Sequence, residues 1–277
     1  MVLGTKILRP LDQERQFQKE NKMTTNKTKP TAQDVAQRAL ALQLIVDRGW
    51  SDYTIQTQSW FRRLRVRSVR KRILAWDKRE HISHWVTPEE KKVWDQPFGE
   101  LSKVDREFAT WRLEAIVPLA WAIGLRPELP EFSAHVEDKH YGCLRFCKRT
   151  PVKTILATQG LDPYTDRLLR TPEAIELQAN VYLLHSWRAK ELLNGNKKRV
   201  DLLEAAPRIF GEWITDALAL LPLNRNGELV MERYRLVIPE LRKRELVMVQ
   251  NVFEGRLRAF KWLSGENPDW DQVTTDT

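Results

Sequence analysis

Three groups of side chains in this sequence have the types and spacing to do chemistry. His135, His140, Cys143 and Cys147 fall within thirteen residues as H-x4-H-x2-C-x3-C. Imidazoles and thiolates are zinc ligands, and four of them suffice for a closed tetrahedral site. The His–His spacing and the Cys order depart from the common zinc ligand pairs, however. Cys143 and Cys147 also fit one turn of a half-buried helix. The expectation is no metal and no cofactor.

The second group is FRRLRVRSVRKRIL, in which Arg62, Arg63, Arg65, Arg67, Arg70, Lys71 and Arg72 occur without an acid. On a helical wheel Val66, Val69, Ile73 and Trp76 share one face, while Arg63, Arg67, Arg70 and Lys71 fill an adjoining one. The alternation Leu64-Arg65-Val66-Arg67 keeps a strand open as well. Such a ridge suits a phosphate backbone, with Trp60 and Phe61 nearby to stack on bases. It also suits an acidic protein, or a plain solvated face. Charge supplies affinity without readout, so a protein partner is expected ahead of nucleic acid.

The third group is Arg112, Glu114, Arg256, Asp271 and Asp276, charges set among apolar residues. Converging, they would make a charged cluster of the kind found in catalytic pockets. The preferred reading is an internal salt-bridge network that anchors the end of the chain, because a buried charge needs a partner whatever the protein does. A glycine-rich phosphate loop, a Gly-x-Ser-x-Gly elbow and a His-Glu-x-x-His helix are all missing. The expectation leans away from an enzyme, and His81 and His84 are given no role.

These groups must be positioned mostly by helices. Thr31 with Asp34, Thr87-Pro88-Glu89-Glu90 and Thr171-Pro172-Glu173 read as helix starts: a hydroxyl caps free backbone N–H groups and acids suit the positive end. Pro88 and Pro172 fall at the first helical position, where proline is tolerated. WAIG at 121–124 and WLSG at 262–265 read as helix ends closed by glycine. The predicted helices are 31–47, 60–78, 87–94, 104–124, 171–193, 200–220, 228–237 and 240–264, with a mixed, irregular stretch at 131–166. The starts at Thr31 and Thr171 are 140 residues apart and the two Trp-x-x-Gly ends 141 apart, a hint of two related helical halves.

Composition sets the frame. The 277 residues, 42% hydrophobic with eleven Trp and only eleven Gly, favour a sizeable helical core. The fold class expected is all-α, a single multi-helix domain over 30–277 after a disordered basic tail at 1–29, which should be dispensable for folding. Met23 opens MTTNKTKP, a second candidate translation start. The net charge of +9 is concentrated: residues 1–30 carry +4 and residues 62–72 carry +7, leaving the rest at −2. Two cysteines and the short apolar run from Ala115 to Leu125, broken by Pro118, point to a cytoplasmic protein with no membrane span and no secretory leader.

The chain ends NPDWDQVTTDT. In this it resembles the bacterial domain-of-unknown-function 4272 family, which closes on Trp-Asp followed shortly by Thr-Asp-Thr, as Trp270-Asp271 and Thr275-Asp276-Thr277 do. TWRLEAIVPLAWAIGL is similar to the family's Trp-Arg-x-Glu helix closing on Trp-Ala-x-Gly-Leu, matching Trp111, Arg112, Glu114, Trp121, Ala122, Gly124 and Leu125. QDVAQRALAL resembles its first helix through Arg38, Ala39 and Leu42, and FKWL adds Trp262 and Leu263 with Arg256 six residues earlier. The resemblance covers 31–277 in separated blocks. Asn180, Leu184 and Gly255 depart from its pattern, and an extra stretch at about 197–245 separates the blocks. The family implies no activity. The function expected is therefore non-catalytic binding of a protein partner, with nucleic acid as the alternative. Third comes an enzyme using the Arg112, Glu114 and Asp271 cluster; no small-molecule substrate is evident.

Overall fold

A computed structural model of the chain describes residues 29–57, 60–132 and 169–275; the side chains of 60–65 are outside the description. The fold is all-α. Its helices are α1 (Ala32–Thr57), α2 (Trp60–Glu80), α3 (Pro88–Trp94), α4 (Lys103–Ala122), α5 (Pro172–Leu193), α6 (Leu202–Phe210), α7 (Thr215–Leu218) and α8 (Lys243–Leu263). A two-stranded hairpin, β1 (Val230–Met231) and β2 (Leu236–Val237), is the sheet among the described residues. The tail at 1–28, the stretch at 133–168 with His135, His140, Cys143 and Cys147, and Asp276 lie outside the described residues.

The starts and stops follow the local chemistry. Thr31 and Asp34 cap one another, the Asp34 N–H donating to Thr31 Oγ1 at 3.2 Å and the Thr31 N–H to Asp34 Oδ2 at 2.8 Å. Thr87 and Glu90 form the same reciprocal box at α3, and Thr171 Oγ1 accepts from the Ala174 N–H at α5. Gly124 and Gly265 close α4 and α8 with left-handed φ of 72° and 80°.

The expected and observed elements differ in three places. α1 runs on to Thr57 because Arg48 and Asp52, one turn apart, pair with each other and stay buried inside the helix. The predicted 200–220 helix breaks after Phe210, where Gly211 takes φ 97° and a 3₁₀ turn at Glu212–Ile214 leads into α7. The predicted 228–237 helix is instead the hairpin, Val230 paired with Val237 and Met231 with Leu236. β-Branched and aliphatic residues at its ends favour extended pairing. Arg235 turns the chain at φ 54°, and the Ile238 N–H closes the hairpin onto Leu229 O at 2.9 Å.

Packing follows an order: α2 on α1, α1 on α4, α4 on α8, α8 on α5, and α7 on α5 with α6 beside it. α1 therefore lies between two helices and is buried around most of its circumference. Two glycines permit the closest approaches. A Cβ on Gly49 would lie 2.7 Å from Ala109 Cβ, and one on Gly255 would lie 2.8 Å from Glu114 Cβ. Residues 114 and 255 are 141 apart, so α4 and α8 cross where the two suggested halves correspond. Arg48 and Arg188, 140 apart, are both fully buried and both donate to loop carbonyls. α1 packs on α4 and α5 on α8 around one large buried cluster, with a smaller one at Ile45, Val93, Leu101 and Ala109.

The ending is part of that core. Trp270 and Val273 are buried; Trp270 meets Trp262 edge-on at 5.6 Å and lies under the Arg38 guanidinium at 4.9 Å. The Asp271 carboxylate accepts from the Glu89 N–H at the start of α3 (3.2 Å), and Thr275 O accepts from Lys190 Nζ at 2.7 Å. Trp270→Ala is expected to cost about 3–5 kcal/mol in urea unfolding. Truncation after Pro268 should cost more still, whereas removal of residues 1–29 should change little. A truncated chain that unfolds like the full one would show that the ending contributes nothing to the fold.

Candidate functional site

α2 is held to α1 by one apolar stripe, in which Val66, Ile73 and Trp76 are buried and Val69 half-buried. The opposite side faces solvent. Arg67, Arg70, Lys71, Arg72, Lys78 and Arg79 are all exposed, and Leu74 among them is 40% exposed. Spacing of three and four residues puts Arg67, Arg70, Lys71, Leu74 and Lys78 on one face. Arg70 also stacks on Phe98 at 4.7 Å, and Arg79 pairs with Glu80 at 2.6 Å. Arg62, Arg63 and Arg65 belong to the same helix, with side chains outside the description.

The charged cluster divides into two networks, one on each side of α4. Glu114 points inward to Arg256 of α8, whose Nε and Nη2 both lie 3.0 Å from Glu114 Oε2, and neither residue is exposed. Arg256 Nη1 also donates to Glu131 O at 3.0 Å and to Tyr182 Oη at 3.2 Å. Burial opposes the Arg256 charge, but Tyr182 and Glu114 outweigh it and hold its pKa above the ordinary value. Burial, helped by the Glu114 charge and opposed by Arg256, raises that of Tyr182.

Arg112 points the other way. It lies 3.9 Å from Glu89 and 4.0 Å from Glu90, with its guanidinium over Phe108 at 4.1 Å. Burial lowers its pKa to about 10. A cavity of about 260 Å³ opens here between Glu89, Trp111, Arg112, Glu254, Arg258 and Thr275. Asp271 contributes to the same side through the α3 backbone rather than through an arginine fork. Arg112 and Asp271 therefore share a neighbourhood that Glu114 and Arg256 do not enter. A larger cavity of about 960 Å³, between the starts of α1 and α5 and the end of α8, holds none of these residues.

Three further buried pairs carry no motif in the sequence. Arg38 makes a fork to Glu90 and donates to Trp85 O at 3.1 Å. Arg48 pairs with Asp52 and donates to Gln96 O and Pro97 O at 2.9 and 2.8 Å. Arg188 pairs with Glu228 at 2.9 and 2.6 Å and donates to Lys198 O at 2.7 Å. The available signal was a leucine one turn away from each arginine, Leu42 for Arg38, Leu44 for Arg48, and Leu184 and Leu192 for Arg188, which marks an inward helix face. His185 completes the interior beside Arg256. Its Nδ1 lies 2.8 Å from Val181 O, Phe132 stacks on it at 4.6 Å, and burial lowers its pKa to about 4. It is neutral at pH 7 and suited to packing between rings.

The Glu114–Arg256 pair is fully buried, which supports a structural role for both residues. Arg256→Met should cost about 3–5 kcal/mol by stranding the Glu114 carboxylate. Arg256→Met with Glu114→Leu should cost clearly less than the sum of the two single changes. Additive losses in denaturant unfolding would mean that the two side chains are not coupled.

Among the described residues no group of three or more His, Cys, Asp or Glu is arranged to hold a metal ion, and no helix is long and apolar enough to cross a membrane. No curated protein and no solved structure matches the chain. One family model does, over residues 21–202, and its match stops inside the extra stretch noted at 197–245. All of α6 but its first residue, α7, the hairpin and α8 therefore lie beyond it. With about two thirds of its length matched, the chain belongs to the family described as a domain of unknown function (DUF4272).

Proposed function

We propose that the protein is a non-catalytic binding protein of the cytoplasm that engages an acidic protein partner through the solvent-facing side of α2. The observation that carries this reading is the set of exposed cations on one helix face, with aliphatic Leu74 among them. A chain that is near neutral elsewhere concentrates its positive field there, which steers an acidic partner. An aliphatic side chain ringed by cations suits a protein surface with an apolar spot inside an acidic rim. A single-stranded nucleic acid would favour aromatic platforms; Trp76 is turned into the core, and the side chains of Trp60 and Phe61 lie outside the description. Internal pairing of Glu114 with Arg256 supports binding over catalysis.

The test is anisotropy of labelled polyglutamate, and of single-stranded DNA of matched charge, at graded salt. Wild-type protein should bind polyglutamate at low salt. Replacing Arg67, Arg70, Lys71 and Arg72 with Gln should weaken this at least about tenfold without shifting the unfolding midpoint, as expected for rim charges that steer rather than fold. Equal binding by the quadruple variant would remove α2 from the account. Binding of the DNA but not of polyglutamate would replace the protein partner with nucleic acid.

A further inference from the structure

α6 and α7 present a second surface that the reading above leaves unused. Their inward side is satisfied: Leu202, Ala206, Ile214, Ala217 and Leu218 are buried. Their outward side is not. Leu203, Ile209, Trp213 and Leu220 are 58%, 53%, 51% and 43% exposed, a concentration of large apolar side chains within eighteen residues. Asp201, Glu204, Glu212 and Asp216 are exposed in the same stretch, against a single cation within it, Arg208, which is already paired with Glu204. Glu212 and Asp216 make no ion pair among the described residues. A cavity of about 590 Å³ runs between Leu203, Glu204, Pro207, Glu212, Thr215 and Leu218, whereas Trp213 lines the larger cavity with Lys29 and Lys261. Leu203 beside Glu204 and Glu212 is the complement of Leu74 among the cations of α2.

The two faces are separated within one molecule by the packing order. α2 rests on α1 at one end of the series, and α6 and α7 rest on α5 at the other. Their complementarity is available between molecules.

We propose that the α6–α7 face of a second copy of this chain is a partner of α2, so that the protein self-associates head to tail. This rests on the proposed function, since it names the acidic surface that α2 engages. The contact is heterologous: the surface donated differs from the surface received. Copies therefore add in series, closing into a ring or continuing as a filament, rather than stopping at a two-fold dimer. Exposed charges supply much of the attraction, so salt weakens it. α2 lies within the family match, whereas all but the first residue of the α6–α7 segment lies beyond it.

Sedimentation velocity of the full chain tests this. Wild-type protein should show concentration-dependent association in about 50 mM salt and dissociate in about 500 mM, where the Debye length falls well below 10 Å. Arg67→Glu with Lys71→Glu should abolish association, and so should Glu212→Lys with Asp216→Lys. An equimolar mixture of the two variants should associate again, because both kinds of junction are then complementary. A monomer at every concentration in low salt overturns the inference, as does association that the Glu212→Lys and Asp216→Lys variant retains. The polyglutamate measurement separates the two levels. Wild-type protein that binds polyglutamate yet stays monomeric rejects self-association and leaves the α2 reading standing.

Discussion

Four guanidinium groups taken out of water organise this protein. Arg38, Arg48, Arg188 and Arg256 are buried, and removing an ion from water costs several kcal/mol unless its hydrogen bonds are replaced. Each meets that demand by reaching across the chain. Arg38 gathers the 3₁₀ turn at Ile82–Trp85, α3 and the ring of Trp270. Arg48 draws in the Gln96–Pro97 backbone, and its partner Asp52 accepts from the Gly99 and Leu101 N–H groups. Arg188 ties α5 to Lys198 and to Glu228, whose carboxylate also receives the Val200 N–H. Arg256 joins α8 to α4, to Tyr182 of α5 and to the Glu131 backbone. The apolar core gives the helices a reason to pack; these pairs select which loops close over them.

That division explains what could be read beforehand. Helix starts were legible because a threonine hydroxyl and an acid three residues on act locally, as at Thr31–Asp34 and Thr87–Glu90. Glycine stops at Gly124 and Gly265 are equally local. The hairpin was not legible, because Glu228 is fixed by Arg188 forty residues earlier and no pattern within 228–237 announces it. Nor was the partition of the charged cluster. Arg112 and Glu114 are two positions apart and so face different sides of α4, a consequence of helical geometry that decides which partners each can meet. Asp271 accepts from the Glu89 N–H at the start of α3, a partner 182 residues away that its own stretch of sequence does not announce.

The pairs also act at different distances along the chain. Arg48 of α1 secures the loop that follows α3, whereas Arg188 secures the loop that follows its own helix, α5. Glu114 and Gly255 meet where α4 crosses α8, with glycine on one side making room for the carboxylate stem on the other. A side chain at 255 would push the helices apart and carry Arg256 away from Glu114. Glycine at this position is therefore built into the packing. With the interior charges engaged in this way, chemistry directed outward falls to surfaces at the ends of the helix series: the cations of α2 and the exposed apolar and acidic residues of α6 and α7.

The most direct measurement of this account is ¹⁵N NMR of the arginine side chains in the native protein near neutral pH. Arg188 and Arg256, whose Nε–H groups donate to Glu228 and Glu114, should give two Nε–H signals protected from exchange and insensitive to salt, because buried pairs are screened far less than exposed ones. Each should disappear in the Arg188 or the Arg256 substitution alone, and the exposed arginines of α2 should exchange fast throughout. Fast exchange at all arginines would contradict the claim that paired interior guanidinium groups hold this fold together.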